Sequence, residues 1–391
     1  SNAHQGREGY VHLGERAEGK AAFDFKKLYL RINTETGSLD FLKAPKNKDV
    51  AKRIELPSVE EVAAMDRDPK KLKATQWPFK VVVDKKPLIV MAESEKELNE
   101  WLESINASKK QATEFLDTIL PRTAATLSNT QKVQLVNFRE KLFSTGLTDE
   151  EKEWCNDACL ARYLRARVDK FGWNLEKSLA MIQDTLKWRR EFKPETIKEE
   201  DVKDLIEMGM LYNNGKDKQG RPIVMVKFNQ PMTDFVLYTR YVVFVMEKAI
   251  ASMNPEETEQ MLWILDLKGS NRKCFPPKAV CKEALNIFYT HYPERLHKLF
   301  IVDAPKVFSV FWAMLGAFLE SDTKAKINFL SGAIGAGQKK TDALLELVDV
   351  NVLESDYGGN NPSKDRGVIK EDEEEPEESE LEAKEEQEGS A

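Results

Sequence analysis

Apolar and polar positions alternate through much of the first hundred residues. Gly9-Tyr10-Val11-His12-Leu13 alternates, and Leu28-Tyr29-Leu30-Arg31-Ile32 and Leu39-Asp40-Phe41-Leu42 flank the turn Glu35-Thr36-Gly37. Trp77-Pro78-Phe79-Lys80-Val81-Val82-Val83 and Pro87-Leu88-Ile89-Val90-Met91 flank Asp84-Lys85-Lys86. Each pair predicts a β-hairpin. Ser94-Glu95-Lys96-Glu97 then has the form of a capping box, and Leu98, Trp101, Leu102 and Ile105 follow at helical spacing. Residues 107–130, with their Ser, Thr, Ala and Pro121, read as a partly helical linker.

From Gln131 the period becomes helical. Val133, Leu135, Val136, Phe138 and Leu142 share a face that ends at Gly146. Thr148-Asp149-Glu150-Glu151 starts a second helix with acids at its positive end, carried by Leu160, Tyr163 and Leu164 to Arg167. Leu179, Ile182, Leu186 and Trp188 predict a third from about Leu175. Beyond residue 200, strands at 221–228, 261–267, 299–302 and 326–330 alternate with helices at about 234–253, 277–291 and 306–320. That order predicts a mixed or parallel sheet with crossover helices. Helix 234–253 is rich in large apolar residues, Phe244 among them, and strand 261–267 adds Met261 and Trp263.

The stretch from Val307 to Leu319 breaks the amphipathic rule. Its Phe308, Phe311, Trp312, Leu315 and Phe318 stand among other apolar residues on every side, and it is shorter than the roughly 20 residues of a membrane span. Such a helix is either buried all round or meets something apolar on its outer side. A central core helix stays open beside a helix that covers an apolar ligand. Helix 234–253 could wall the same cavity.

The net charge is −7, but residues 362–391 hold 13 acidic and 4 basic residues, a net of −9, which leaves +2 for residues 1–361. The acidity belongs to a tail with little to bury, expected to be disordered. The first residues, Ser1-Asn2-Ala3-His4, read as a tag remnant or truncated start and are set aside. Cys155, Cys159, Cys274 and Cys281 lack zinc-site spacing, so free buried thiols in a reducing, cytoplasmic compartment are expected.

Enzyme signatures fail on inspection. Ser331–Lys339 follows a strand and precedes a helix, as a phosphate loop does, but Gln338 stands where the lysine belongs. No Gly-x-Ser-x-Gly elbow is present, and His291 and His297 have no nucleophile or ligand set beside them. Glu294, in Tyr292-Pro293-Glu294-Arg295, and Lys326, in Thr323-Lys324-Ala325-Lys326, stand at the rims of adjacent predicted strands. They could pair with one another or grip a polar headgroup.

Two resemblances follow from these residues. The strands of residues 9–106, closed by a helix carrying Trp101, resemble a pleckstrin-homology domain. That implies a basic patch at Lys20, Lys26 and Lys27, although Leu28 replaces the usual arginine and His12 stands where lysine is common. A protein-contacting or structural role is the alternative. Cys159–Arg167, Leu186–Arg189, Gly220–Val224, Asp266–Gly269, Tyr292–Leu296, Ile301–Pro305, Phe308–Trp312, Thr323–Ile327 and Leu353–Gly359 are similar, in order and spacing, to the CRAL-TRIO lipid-transfer family.

The second resemblance implies an N-terminal helical lobe at 131–195 and a lipid-binding domain at 196–361, with a sheet floor, helical walls and a gate helix at 305–319. The expected fold class is therefore multidomain: a PH-like β-barrel or sandwich with a C-terminal helix, then a helical lobe and an α/β mixed-sheet domain. In members that transfer phosphatidylinositol, the residues at the positions of Glu294 and Lys326 hold the inositol phosphate. Arg295 lies beside them, and Lys170 is the nearest substitute for a third basic residue. The hydroxyls that hold phosphatidylcholine are replaced here by Met261 and Trp263. The resemblance thus implies a non-enzymatic protein that binds and transfers or presents phosphatidylinositol. It implies no cofactor beyond the bound phospholipid, no metal and no nucleic acid. It places the protein in the cytoplasm, peripheral to membranes, with a protein partner open through the PH-like domain or the tail. A membrane-targeted regulatory adaptor that senses a lipid or other hydrophobic ligand without bulk transfer is the alternative.

Overall fold

A computed structural model describes residues 7–16, 23–33, 37–45, 50–66, 72–73, 76–120, 126–169, 172–228, 230, 234–255 and 257–364. The chain divides into two compact units, one up to Leu186 and one from Lys187. Lys20, Lys170 and residues 365–391 of the acidic tail lie outside the described residues.

The first unit opens with β1 (Glu8–Arg16), β2 (Phe23–Asn33), β3 (Ser38–Leu42), β4 (Val50–Glu55), β5 (Val59–Ala64), β6 (Trp77–Val83) and β7 (Lys86–Ala92). They form one antiparallel sheet in the order β4-β3-β2-β1-β7-β6-β5. Seven flat strands would stand about 29 Å across. Yet the edge strands β4 and β5 are joined by only Leu56-Pro57-Ser58, a link that reaches at most about 14 Å. The sheet must therefore curl on itself, around Val11, Leu30, Leu39, Phe41, Phe79, Val81 and Trp101. The turn between β6 and β7 has positive φ at Asp84 and Lys85, the mirror-image hairpin turn that suits strand twist. The sequence patterns miss β4 and β5. Lys52 breaks the apolar phase of Val50 and Ile54, and Glu60-Glu61 interrupts β5.

Helix α1 (Glu95–Ile119) is capped by Ser94, whose side chain accepts from the Glu97 amide. It carries helical structure through the first half of segment 107–130. Next come α2 (Asn129–Phe143), α3 (Asp149–Trp154) and α4 (Asp157–Arg165). The single helix expected from 149 to Arg167 is thus two, broken at Cys155, because Asn156 caps a new start through the Cys159 amide. A short hairpin of β8 (Val168–Asp169) and β9 (Gly172–Trp173) precedes α5 (Leu175–Phe192). Leu135, Phe138, Leu160, Tyr163, Leu164 and Ile182 form this lobe's core.

In the second unit come α6 (Lys203–Glu207), β10 (Leu211–Lys216), β11 (Pro222–Lys227), α7 (Phe235–Ala251), β12 (Met261–Asp266), α8 (Lys278–His291) and β13 (Leu296–Val302). α9 (Phe308–Gly316), α10 (Ser321–Ala325), β14 (Ile327–Leu330) and α11 (Lys339–Leu347) complete it. The sheet order is β10-β11-β12-β13-β14. β10 is antiparallel to β11 and the other pairs are parallel, so the sheet is mixed. β10 is absent from the sequence reading because Asn213-Asn214-Gly215-Lys216 leaves it almost no apolar run.

One sheet face is sealed. Ile223, Met225, Leu262, Ile264, Phe300 and Val302 are buried against Leu344, Val348, Leu353 and Tyr357. The Tyr357 hydroxyl donates to Asp266 Oδ2 at 2.7 Å. Gly358 takes φ +91°, and a Cβ on Gly359 would lie 1.8 Å from the Leu353 carbonyl oxygen. Gly359→Ala is therefore expected to destabilise the protein by about 3 kcal/mol or more. A thermal melt within a degree of the parent would show that this turn relaxes freely.

Candidate functional site: a half-covered apolar floor

The opposite sheet face is unevenly covered. Near β11, helix α7 seals it with Val242, Val243 and Met246 over Val224 and Val226. Along β12 burial alternates. Leu262 and Ile264 are 0% and 1% exposed, whereas Trp263 and Leu265 on the opposite face are only half-buried. Leu299 and Ile327, in register with Trp263 across β13 and β14, are half-buried too, and Phe329 is 47% exposed. β12 and β13 are interior strands, hydrogen-bonded on both sides. Interior parallel strands are normally covered on both faces. Here an apolar floor is left part-open.

Helix α9 stands beside that floor. It spans Phe308–Gly316, shorter than the expected 305–319, and a turn follows in which the Phe318 amide bonds the Leu315 carbonyl. Phe308 is its buried anchor; Phe311, Trp312 and Leu315 are half-buried, and Phe318 is exposed. Val310 is 76% exposed. The Trp312 ring meets Phe329 edge-on at 5.0 Å, and Phe311 stacks on Phe275 at 4.9 Å. Trp263 packs edge-on against Phe288 of α8 at 5.8 Å. The helix is therefore not wholly a core helix: Phe308, Phe311 and Trp312 pack against the protein, while Val310 and, just beyond the helix, Phe318 are exposed. Met261 and Phe244, by contrast, are buried within the protein core.

A polar pair closes one end. Glu294 links α8 to β13 in the left-handed region, φ +58°. Lys326 ends α10 directly before β14, and its carbonyl accepts from the Leu299 amide at 2.9 Å. Lys326 Nζ lies 3.7 Å from Glu294 Oε2, with about a third of each side chain exposed (31% and 34%). The two predicted residues thus meet at the edge where the floor strands begin. Arg295 donates from Nη1 to the Glu259 carbonyl at 2.8 Å, bracing the approach to β12. On the first unit, Lys27 is paired with Glu93 at 3.3 Å and lies over the Tyr10 ring at 4.9 Å; Lys26 is exposed.

Other polar features hold structure. The Gly335 and Gly337 amides of the glycine-rich loop donate to Thr341 Oγ1 and Asp342 Oδ1, the side chains of its own following helix. His291 stacks on Trp188, with centroids 4.3 Å apart and planes 10° off parallel. Burial, then the nearby Arg189 charge, push its pKa down to about 4. The unfolded imidazole takes its proton near pH 6.5 and the folded one only near 4, so the unfolded chain binds more protons in between. Stability present above pH 6.5 is lost as pH falls towards 4, by about 3 kcal/mol before discounting for solvent screening of the ring. Denaturant unfolding of the parent and of His291→Phe at both ends of that window checks this; equal slopes in the two proteins would contradict it.

Sequence reasoning overlooks the residues that make the floor open: Leu265, Leu299, Ile327 and Phe329, with Phe275 and Phe288 around them. The signal lay in the alternation within β12, where Trp263 and Leu265 share a phase. Among the described residues, no group of three or more His, Cys, Asp or Glu is placed to hold a metal ion, and no helix is long and apolar enough to cross a membrane. All four cysteines are buried thiols outside any disulfide.

Comparison with known proteins places the chain in a family. The family model of the CRAL/TRIO domain matches residues 206–359. The SEC14 cytosolic factor of Kluyveromyces lactis is 31% identical over 259 residues, covering 61% of this chain and 81% of that protein. The phosphatidylinositol/phosphatidylcholine transfer protein SFH12 of Arabidopsis thaliana is 30% identical over 250 residues, covering 59% of this chain. The crystal structure of Sfh5 aligns over 45% of this chain and 65% of its own at 19% identity, with a TM-score of 0.39. The chain spans 44% of the Arabidopsis protein's length, and 20% of a CRAL-TRIO domain-containing protein of Schizosaccharomyces pombe that is 29% identical over 216 residues and matches 55% of this chain. With 31% identity across four-fifths of the SEC14 cytosolic factor and the family model over its second sheet, the chain belongs to the CRAL/TRIO family.

Proposed function

We propose that the second unit binds one phospholipid, phosphatidylinositol, and carries or presents it without chemical turnover. The observation that carries this is the part-open floor of Trp263, Leu265, Leu299 and Ile327 beside an apolar helix. Covering apolar surface is favourable by about 25 cal/mol per Å², and acyl chains are the cover that also suits α9. Glu294 and Lys326 border the same floor, where an ammonium would bind phosphate and a carboxylate would accept from inositol hydroxyls. The flanking Met261 and Trp263 offer no hydroxyl for a choline phosphate. α9 acts as the gate, moving where a bilayer receives the exposed Val310 and Phe318.

The first unit, with its curled sheet closed by α1, serves as a PH-like targeting domain on this account. The protein then works in the cytoplasm, peripheral to membranes. Movement of labelled phosphatidylinositol from donor to acceptor vesicles is the test. Catalytic transfer supports a carrier. Binding of phosphatidylinositol without transfer supports the adaptor alternative, and failure to bind it refutes the lipid assignment.

A further inference from the structure

The segment beside the gate helix carries an unbalanced charge. From Leu267 to Lys282 the sequence holds Lys268, Arg272, Lys273, Lys278 and Lys282 and no acidic residue. All five are exposed, as is Lys306 just before α9. This basic segment is tied to the apolar helix and to the turn that follows it by one ring contact each. Phe275 stacks on Phe311 at 4.9 Å, and Lys278 Nζ lies 5.8 Å from the Phe318 ring centroid. The exposed Phe318 thus stands against Lys278 of this basic segment, and the exposed Val310 lies one residue from Phe311, which stacks on the segment's Phe275; Glu283, Glu320 and Asp322 are exposed acids nearby in sequence.

We infer that this face docks on a bilayer surface bearing anionic lipids. Segment 268–282 supplies the electrostatic attraction, and Val310 and Phe318 supply the apolar insertion. The inference rests on the phospholipid-carrier function and adds a selection that function does not contain. Apolar insertion alone carries no preference for lipid charge. Lysines and arginines near a negatively charged leaflet are attracted individually, each by about five-fold in partition, and the attraction decays within a Debye length. The protein should therefore exchange lipid where the membrane is negative, and lose that preference when these bases are neutralised.

The test is co-sedimentation of the full chain with vesicles of phosphatidylcholine alone and of phosphatidylcholine with about one third phosphatidylserine. The parent should prefer the anionic vesicles, and added salt should weaken that preference because the Debye length shrinks. Arg272→Gln/Lys273→Gln/Lys278→Gln should lower partition onto anionic vesicles on the order of 100-fold, with phosphatidylcholine binding unchanged. Lys26→Gln/Lys27→Gln serves as the comparison. Equal partition of the parent onto both vesicles, salt-independent binding, or a loss that follows Lys26 and Lys27 while the triple variant binds normally would each overturn the inference. If the triple variant does not fold, Arg272→Gln and Lys278→Gln are made singly, each expected to lower partition onto anionic vesicles about five-fold; no loss in either would overturn the inference. If native mass spectrometry finds no phospholipid in a protein that still shows the charge-dependent binding, the carrier function falls and the docking surface stands.

Discussion

Replacing Glu294 and Lys326 together by Ala is expected to cut phosphatidylinositol transfer between vesicles by about 100-fold or more, with almost no change in melting temperature. Hydrogen bonds to charged groups are worth about 1.5–3 kcal/mol each, and a headgroup held by both loses two anchors at once. The pair itself is weak as a structural element. Its atoms are 3.7 Å apart and each side chain is about a third exposed, so its own contribution to folding is about 0–1 kcal/mol. Lys326→Ala alone should cost nearly as much transfer as the double change, because Glu294 then faces a phosphate with no cation between. Transfer at the parent rate in the double variant would refute the headgroup assignment; a collapsed melt would instead make the pair structural.

Glu354→Ala is expected to destabilise the second unit by about 3–5 kcal/mol. Lys227 and Glu354 are each 1% exposed and form a 3.0 Å ion pair. The Tyr212 hydroxyl donates to the other carboxylate oxygen at 2.6 Å, and Lys227 also donates to the Lys364 carbonyl at 3.0 Å. Removing the carboxylate leaves an ammonium buried with no opposing charge. A loss of that size lowers the melting temperature by roughly 6–20 °C in a unit of this length. Replacing both partners, as Lys227→Met/Glu354→Leu, should recover most of the loss, since no lone charge is then buried. Melting of the single variant within about 2 °C of the parent would mean water or chain movement reaches Lys227.

Elements of the second unit are legible where one face or all faces are apolar. The run Met261–Leu265 and the stretch Val307–Leu319 declare themselves, and the ordered blocks from Cys159 to Gly359 identify the family. What stays hidden depends on neighbours. β10 is held by ladder bonds to β11 rather than by its own side chains. β4 and β5 are fixed by curling of a sheet whose edges a three-residue link draws together. The Lys227–Glu354 pair spans 127 residues of sequence; its one sign is a lysine in an otherwise apolar strand. Glu294 and Lys326 are legible as residues, but their 3.7 Å approach and the left-handed turn at Glu294 are not. The openness of the floor is hidden most deeply, since apolar letters at Trp263 and Leu265 read alike whether a helix or an acyl chain covers them.

The most direct measurement is native mass spectrometry of the full chain repurified from mixed vesicles of phosphatidylinositol and phosphatidylcholine, with the released lipid identified after extraction. One phosphatidylinositol per chain is the predicted result, absent from the Glu294→Ala/Lys326→Ala protein. A protein that emerges without lipid, or that holds phosphatidylcholine in its place, would contradict the account.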